Sequence, residues 1–255
     1  MPKYKFLPLI TAFAVAAGIL TPLVIYDNLR FETVRYVISH KNLPAPFNGL
    51  RIVQLSDLHN NVFGEKQEKL LNAIKAEKPH IIVITGDLID SDQTENAINL
   101  VKGAVKIAPC YYANGNHEIR TGRYLSEIKP ALIRCGVKVL DDEKNYLEKD
   151  GEKIAVIGLS DLCGGEEDQR RALKTLAENE AFTLLLAHRP ERFKLYSDCG
   201  VSLVFSGHAH GGQFRIPFTH QGVFSPGQGL FPRYTEGVFT RKSTKMTVTR
   251  GLGNQ

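Results

Sequence analysis

Arg51-Ile52-Val53-Gln54-Leu55-Ser56-Asp57-Leu58-His59 is an apolar run rich in β-forming residues that ends in a carboxylate and an imidazole two positions apart. Its physical reading is a buried strand whose tip carries chemistry. The same event recurs downstream. Ile81-Ile82-Val83-Ile84-Thr85 breaks into Gly86-Asp87, and Tyr111-Tyr112-Ala113 into Asn114-Gly115-Asn116-His117-Glu118. Leu184-Leu185-Leu186-Ala187 breaks into His188, and Val201-Ser202-Leu203-Val204-Phe205 into Ser206-Gly207-His208-Ala209-His210. In open α/β sheets ligands collect beyond the carboxyl ends of strands, so these tips, far apart in sequence, are expected to meet at one site.

At 255 residues, 43% hydrophobic and 23% charged, the chain has the size and composition of one catalytic domain. The net charge of +5 is modest. Basic residues gather at Arg233, Arg241, Lys242, Lys245 and Arg250, with Glu236 the only acid between Arg233 and Arg250. Such a run is either a face for phosphate or acidic head groups, or a solvated strand face. Nothing marks a specific nucleic-acid partner, and the sequence sets no oligomeric state. Cys110, Cys135, Cys163 and Cys199 lack Cys-x-x-Cys spacing, which excludes a zinc ribbon and a thioredoxin-type pair. Buried thiols are expected, or one or two disulfides in an oxidising compartment.

Residues 6–26 contain no charge, and a helix of that span rises about 31 Å, close to the thickness of a bilayer hydrocarbon core. The small-x-small pattern Ala14-Val15-Ala16 falls in mid-run and nothing similar follows Tyr26, so a retained single-pass anchor is expected rather than a cleaved signal. Basic residues flank both ends, at Lys3 and Lys5 and at Arg30, Arg35 and Lys41. The very short N-terminal tail favours an extracytoplasmic domain. Residues 27–50 read as a linker with an edge strand over 31–38 and a Pro/Gly-punctuated turn over 43–49. The catalytic domain is expected over 51–255.

Within it, 65–77 places Leu70, Leu71 and Ile74 on one helical face, and 94–107 does the same with Ile98, Val101 and Val105. Strand and helix therefore alternate in the front half. A helix is expected over 124–134, strands over 137–140 and 146–149, and a hairpin at Asp150-Gly151 before a strand over 153–159. After a surface helix over 166–178, the last 45 residues alternate as antiparallel strands. The fold class is α/β.

Asp57, Asp87, Asn116, His59, His188, His208 and His210 form an oxygen and nitrogen set without thiolate, suited to Mn, Fe, Zn or Co rather than Ca. They are too many for one ordinary catalytic metal but suit two divalent ions if one carboxylate bridges, held ~3.5–4 Å apart as in two-metal hydrolases. Two such ions, less two carboxylates and a hydroxide, leave about one net positive charge to attract phosphate. The run 158–162 lacks the second glycine of a serine-hydrolase elbow, and no His-Glu-x-x-His is present.

Asp57-x-His59, Gly86-Asp87, Gly115-Asn116-His117-Glu118, His188 and Gly207-His208-Ala209-His210, in this order, resemble the signature of the calcineurin-like metallophosphoesterases over roughly residues 50 to 250. The resemblance implies two stacked mixed sheets flanked by helices. It also implies one metal on Asp57, His59 and His210, another on Asn116, His188 and His208, and Asp87 bridging them with a hydroxide as nucleophile. His117 would steady or protonate the leaving oxygen. Asp90 is then a carboxylate that orients His117 or a plain loop acid. Glu118 and Asp161 read as structural, His40, His80 and His220 as loop residues, and Gln213 as either site lining or turn.

The uncharged N-terminal run, Asn48-Gly49-Leu50-Arg51-Ile52, Gly211-Gly212-Gln213 and Tyr234-Thr235-Glu236-Gly237 resemble the membrane-anchored bacterial branch. The implied activity is hydrolysis of a phosphodiester or phosphoanhydride. A narrower alternative is the UDP-2,3-diacylglucosamine cleavage of similar anchored proteins, with a lipid-linked substrate. A metal-binding, membrane-tethered interaction protein without turnover is the second class, and the intact His117 argues against it. There are two departures. Ser91-Asp92 replaces the Arg-Gly of protein serine/threonine phosphatases, and the chain stops soon after Gly251-Leu252-Gly253, where similar proteins run on through another strand. A bare sheet edge is expected there.

Overall fold

Strands buried on both faces read as continuous apolar runs rather than alternating ones, and the central strands here are of that kind. β1 (Ile52–Leu55), β2 (Ile81–Thr85), β3 (Cys110–Ala113) and β4 (Lys138–Val139) form a parallel sheet in that order. A six-stranded mixed sheet contains β5 (Glu143–Lys149), β6 (Glu152–Leu159), β7 (Thr183–Ala187), β8 (Leu203–Ser206), β11 (Gly237–Arg241) and β12 (Thr244–Val248). Its order is β11-β12-β8-β7-β6-β5, antiparallel only at the two outer pairs. A separate hairpin pairs β9 (Phe224–Ser225) with β10 (Gly229–Leu230).

This computed structural model describes residues 11, 18, 30–90, 93–162, 164–216, 219 and 221–253. The chain divides into two compact units, 1–34 and 35–255. The anchor expected over 6–26 lies outside the described residues except for Thr11 and Gly18, as does the loop reading of His220. No helix among the described residues is long and apolar enough to cross a membrane.

Alternation along β6 and β7 places the core. Ile154, Val156, Leu184 and Leu186 join Ile81, Val83 and Tyr111 of the parallel sheet in one buried cluster. Ala155, Ile157, Leu185 and Ala187 join Leu173 of helix α5 (Glu166–Ala177) and Phe193 and Tyr196 of helix α6 (Phe193–Asp198) in another. Each aliphatic side chain so buried contributes ~1.5–3 kcal/mol. Helix α1 (Glu68–Ala76) buries Leu70 and Ile74 as expected. Helix α2 (Glu95–Ala104) buries Ala97, Leu100, Val101 and Ala104, whereas Ile98 and Val105 are only half-buried. The buried face is turned because α2 meets α1 at Gly103, where a Cβ would lie 2.3 Å from Leu71 Cδ1. The short helices α3 (Asn116–Arg120) and α4 (Lys129–Arg134) follow β3, separated by a π-helical turn over Tyr124–Ile128.

The Asp150-Gly151 hairpin forms, with φ of 51° and 80° at its two turn residues, the left-handed pair that matches strand twist. The edge strand over 31–38 does not form. Val34, Tyr36 and Val37 are exposed, Val37 at 99%, so no buried face rewards pairing. Nor is 35–50 a linker. Phe47 is buried in the inter-sheet cluster with Ile38, Leu43 and Leu50 packed against it, and Arg35 Nε donates to Glu77 Oε2 at 2.8 Å. The strand nearest the C-terminus, β12, is not an edge, because β11 pairs with it and is itself the outer strand of the sheet. After β12 the chain crosses to the tip of β1, with Leu252 N donating to Ser56 O at 3.0 Å.

Candidate metal centre

The tips of the parallel strands are tied to one another before any side chain is considered. Asp57 N donates to Gly86 O at 3.0 Å and His59 N to Asp87 O at 3.1 Å, aligning the ends of β1 and β2. Gly207 N donates to His188 O at 3.1 Å and aligns β8 with β7. Side chains then join the two sheets. Gln54 Nε2 donates to Ser206 O at 2.9 Å, and His208 N donates to Asp57 Oδ1 at 3.0 Å. Asp57, His59, Asp87, His208 and His210 all have φ between 46° and 64°. For residues other than glycine this backbone costs ~1–3 kcal/mol each and is held only where the surroundings dictate it.

Three groups of candidate donors result, of which His59, Asp90 and His117 make one and two more gather at the sheet ends. Asp57, His59 and His210 form one, with His210 Nε2 3.4 Å from Asp57 Oδ1 and 3.2 Å from His59 Nε2. Asp87, His188 and His208 form the other, with His188 Nε2 3.0 Å from Asp87 Oδ2 and 3.1 Å from His208 Nδ1. His188 Nδ1 donates to Thr85 O at 2.7 Å, which fixes the tautomer and turns Nε2 inward. Asp87 Oδ2 lies between the sets, 3.9 Å from His59 Nε2 and 3.9 Å from His117 Nε2. It is buried against the His188 ring nitrogen, and Asn116 Oδ1 is buried and accepts no hydrogen bond from any described residue. A buried amide oxygen without a donor, buried carboxylates, and ring nitrogens facing one another fit divalent cations of the borderline kind.

The electrostatics agree. Burial pulls the His59 imidazole down to about 4 and that of His208 to about 2, so both are neutral donors at ordinary pH. Burial would lower His188 as well, but the Asp87 carboxylate beside it raises it to about 10. Burial would raise Asp87, yet His188 and His117 hold it well below the usual carboxylate range.

His117 Nδ1 donates to Asp90 Oδ1 in a very short contact, leaving Nε2 toward Asp87. Glu118 is fully buried and accepts from the backbone N–H groups of Asp87, Leu88, Ile89 and Gly115 at 2.9, 2.6, 3.2 and 3.0 Å. It is structural, as expected, but what it shapes is the Asp87 loop. Burial and the nearby Asp87 charge push its carboxyl up to about 7. Asp161 holds Arg189 through two 2.7 Å contacts, and Arg189 Nη1 lies 3.5 Å from His208 Nε2. The sequence reading missed Arg189, although its place directly after His188 at a strand tip was a signal. Gln213 is the C-cap of the turn His210–Gly212, with φ of 52°. Cys110, Cys135 and Cys199 are free thiols, and Cys163 is outside the described residues.

Two facing sheets whose strand tips gather carboxylate, amide and imidazole donors define a metal-dependent hydrolase of phosphoric esters. The chain belongs to the calcineurin-like phosphoesterase family, whose model matches residues 50–212. It is 33% identical to the uncharacterized metallophosphoesterase YkuE of Bacillus subtilis, over 94% of this chain and 87% of that protein. It is 27% identical to the phosphodiesterase YaeI of Escherichia coli, over 88% and 82%. Among solved structures, the Haemophilus influenzae NAD nucleotidase NadN is similar with a TM-score of 0.48 and 16% identity, over 80% of this chain and 45% of that one.

Proposed function

We propose that the protein hydrolyses a phosphodiester or phosphoanhydride bond at two divalent cations, held on the Asp57, His59, His210 set and on the Asn116, His188, His208 set with Asp87 between them. The observation that carries this is Asp87 Oδ2, buried and within 3.0 to 3.9 Å of three imidazoles from different strand tips. When bound, such cations polarise phosphoryl oxygens and lower the pKa of water. The chain's own residues do the rest. Asp57 and Asp87 would supply the negative charge that holds the cations, and the buried neutral imidazoles of His59 and His208 would supply nitrogen donors. His117, oriented by Asp90, presents Nε2 to the leaving oxygen as a proton donor. The name of the Escherichia coli relative supports a diester substrate.

Full-length protein reconstituted with Mn, Fe or Zn should cleave bis-p-nitrophenyl phosphate or a nucleotide-diphosphate lipid faster than p-nitrophenyl phosphate. Turnover of none of the three would overturn the reading. A preference for the monoester would overturn the substrate class alone.

The uncharged run over 6–26 supports a membrane anchor. Full-length protein should then stay with membranes through an alkaline carbonate wash, while a chain starting at Asp27 should be soluble and hydrolyse a soluble diester at a similar rate. Aggregation of the shortened chain, or release of the full-length one, counts against the anchor.

A further inference from the structure

The basic residues near the C-terminus separate into different roles. Lys242 Nζ pairs with Asp198 Oδ1 at 2.7 Å, and Arg233 lies over the Tyr234 ring with its Cζ 5.5 Å from the centroid. Arg250 instead packs beside Gly211, the residue after His210, and meets Arg215 there. Arg215 Nη2 donates to Glu236 Oε1 at 2.6 Å, and Arg250 Nε to Glu236 Oε2 at 3.1 Å. Two guanidinium groups therefore share one carboxylate, each on its own oxygen. Arg215 Nη1 is buried and makes no hydrogen bond to any described residue.

The position of this trio is set by two glycines. A Cβ on Gly211, the residue after His210, would lie 3.2 Å from Arg250 Cδ and 3.4 Å from Arg215 Nη1. A Cβ on Gly251, the residue after Arg250, would lie 2.7 Å from Asp57 Cβ. Both arginine side chains thus pack beside the backbone that follows His210, and the Arg250 main chain runs into the residue that touches Asp57. Their side chains remain 26% and 39% exposed, so the pair borders solvent although Arg215 Nη1 itself lies beneath the surface.

We infer that Arg215 and Arg250, gathered by Glu236, form a second phosphate subsite beside the metal centre, which takes the adjoining phosphate of a substrate containing a diphosphate group. This rests on the hydrolytic reading above and narrows it to phosphoanhydrides. A diphosphate presents two adjoining tetrahedral anions, so a phosphoryl group at the metal ligands places its neighbour within reach of the flanking residues. Guanidinium forks match phosphate oxygens in geometry and charge. Glu236 holds the two forks side by side before the ligand arrives, so less side-chain freedom is lost on binding.

The test uses full-length, Mn-loaded protein with bis-p-nitrophenyl phosphate as reporter, in excess Mn, and UMP and UDP as competitive inhibitors. Wild type should bind UDP about tenfold more tightly than UMP, the scale of one charge-assisted hydrogen bond. Arg215→Gln and Arg250→Gln should each remove most of that preference, with the change in KM-type affinity rather than in kcat and with melting temperatures close to wild type. Equal affinity of wild type for UMP and UDP overturns the subsite, as does an unaltered ratio in the folded variants. Should a Gln variant melt early, Arg215→Lys and Arg250→Lys keep the charge and lose the fork, and an unaltered ratio in them also overturns it. If the reporter is not cleaved at all, the hydrolytic reading fails. Calorimetric titration of UMP and UDP into the same protein then tests the subsite by itself.

Discussion

Gly207→Ala isolates how closely the protein backbone is built around the Asp57 carboxylate. A Cβ at this position would sit 1.9 Å from Ser56 Oγ and 2.2 Å from Asp57 Oδ2. Non-bonded heavy atoms rest at roughly 3.5 Å, so something must move by more than about 1 Å. Ser56 and Asp57 are 1% and 0% exposed and have no space to retreat into. Overpacking of this kind costs ~1–3 kcal/mol. Displacing Asp57 also strips the His208 N–H of its acceptors at 3.0 and 3.2 Å, which adds ~1–3 kcal/mol for a buried donor left unpaired. For a domain of this size the sum corresponds to a fall in Tm on the order of 10 °C. Calorimetry in EDTA measures the fold without metal, and metal analysis after reconstitution measures the site. Gly165→Ala is the control, since nothing lies within 4 Å of a Cβ there. A Gly207→Ala protein that melts with wild type and holds as much metal would refute the claim that Asp57 is fixed against this backbone.

Asp87→Ala should abolish hydrolysis and lower bound metal well below wild type, because the carboxylate lies between both donor sets; a variant that keeps the wild-type metal content would count against a bridging role. His117→Ala should slow the chemical step by ~10²–10⁴-fold with metal retained, and rates across leaving groups of rising pKa should separate a proton donor, needed most by the poorest, from a group that steadies phosphate charge. The metal-free fold should be most stable near pH 6.5. His59, held at about 4 by burial, leaves the unfolded chain binding more protons as pH falls from 6.5 to 4, whereas His188, raised to about 10, loses its stabilising contribution as pH rises from 6.5 to 10. Urea midpoints that rise or fall steadily across pH 4–10 would contradict this. Cys110 is buried with its thiol pushed up to about 12, and it should resist iodoacetamide in the native protein while reacting once unfolded.

The strands and the candidate donor residues at their tips were legible in the sequence for the same reason. Parallel strands covered on both faces must be apolar throughout, so Ile81–Thr85 and Thr183–Ala187 stand out, and the polar residues that end them are visible as interruptions. The order of Asp57, Asp87, Asn116, His188 and His208 could be read because each follows such a run. Segment 31–38 has the composition of a strand, but composition does not say whether a sheet edge is available to pair with it. The buried face of α2 was misplaced because small residues at a close helix contact carry little hydrophobic signal, while Ile98 and Val105 carry a large one.

What sequence conveys least is how the ligand loops are held. Glu118 collects four backbone N–H groups around Asp87, and only its position three residues after Gly115, as in a capping box, hints at this. The left-handed backbones of Asp57, His59, Asp87, His208 and His210 would each relax in an isolated loop. They persist because the tip of one strand is hydrogen-bonded to the tip of the next, and because Gly115 and Gly207 let carboxylates rest directly on the main chain, where a Cβ would stand 2.2 Å from Asp87 Oδ1 and from Asp57 Oδ2. The donor atoms are therefore positioned by the fold before metal arrives, and strain held in the loops is offset by the apolar burial of the strands that carry them. It follows that substitutions in the inter-sheet cluster, remote from any ligand, should weaken metal binding in proportion to the stability they remove, whereas surface substitutions on α5 should leave it unchanged.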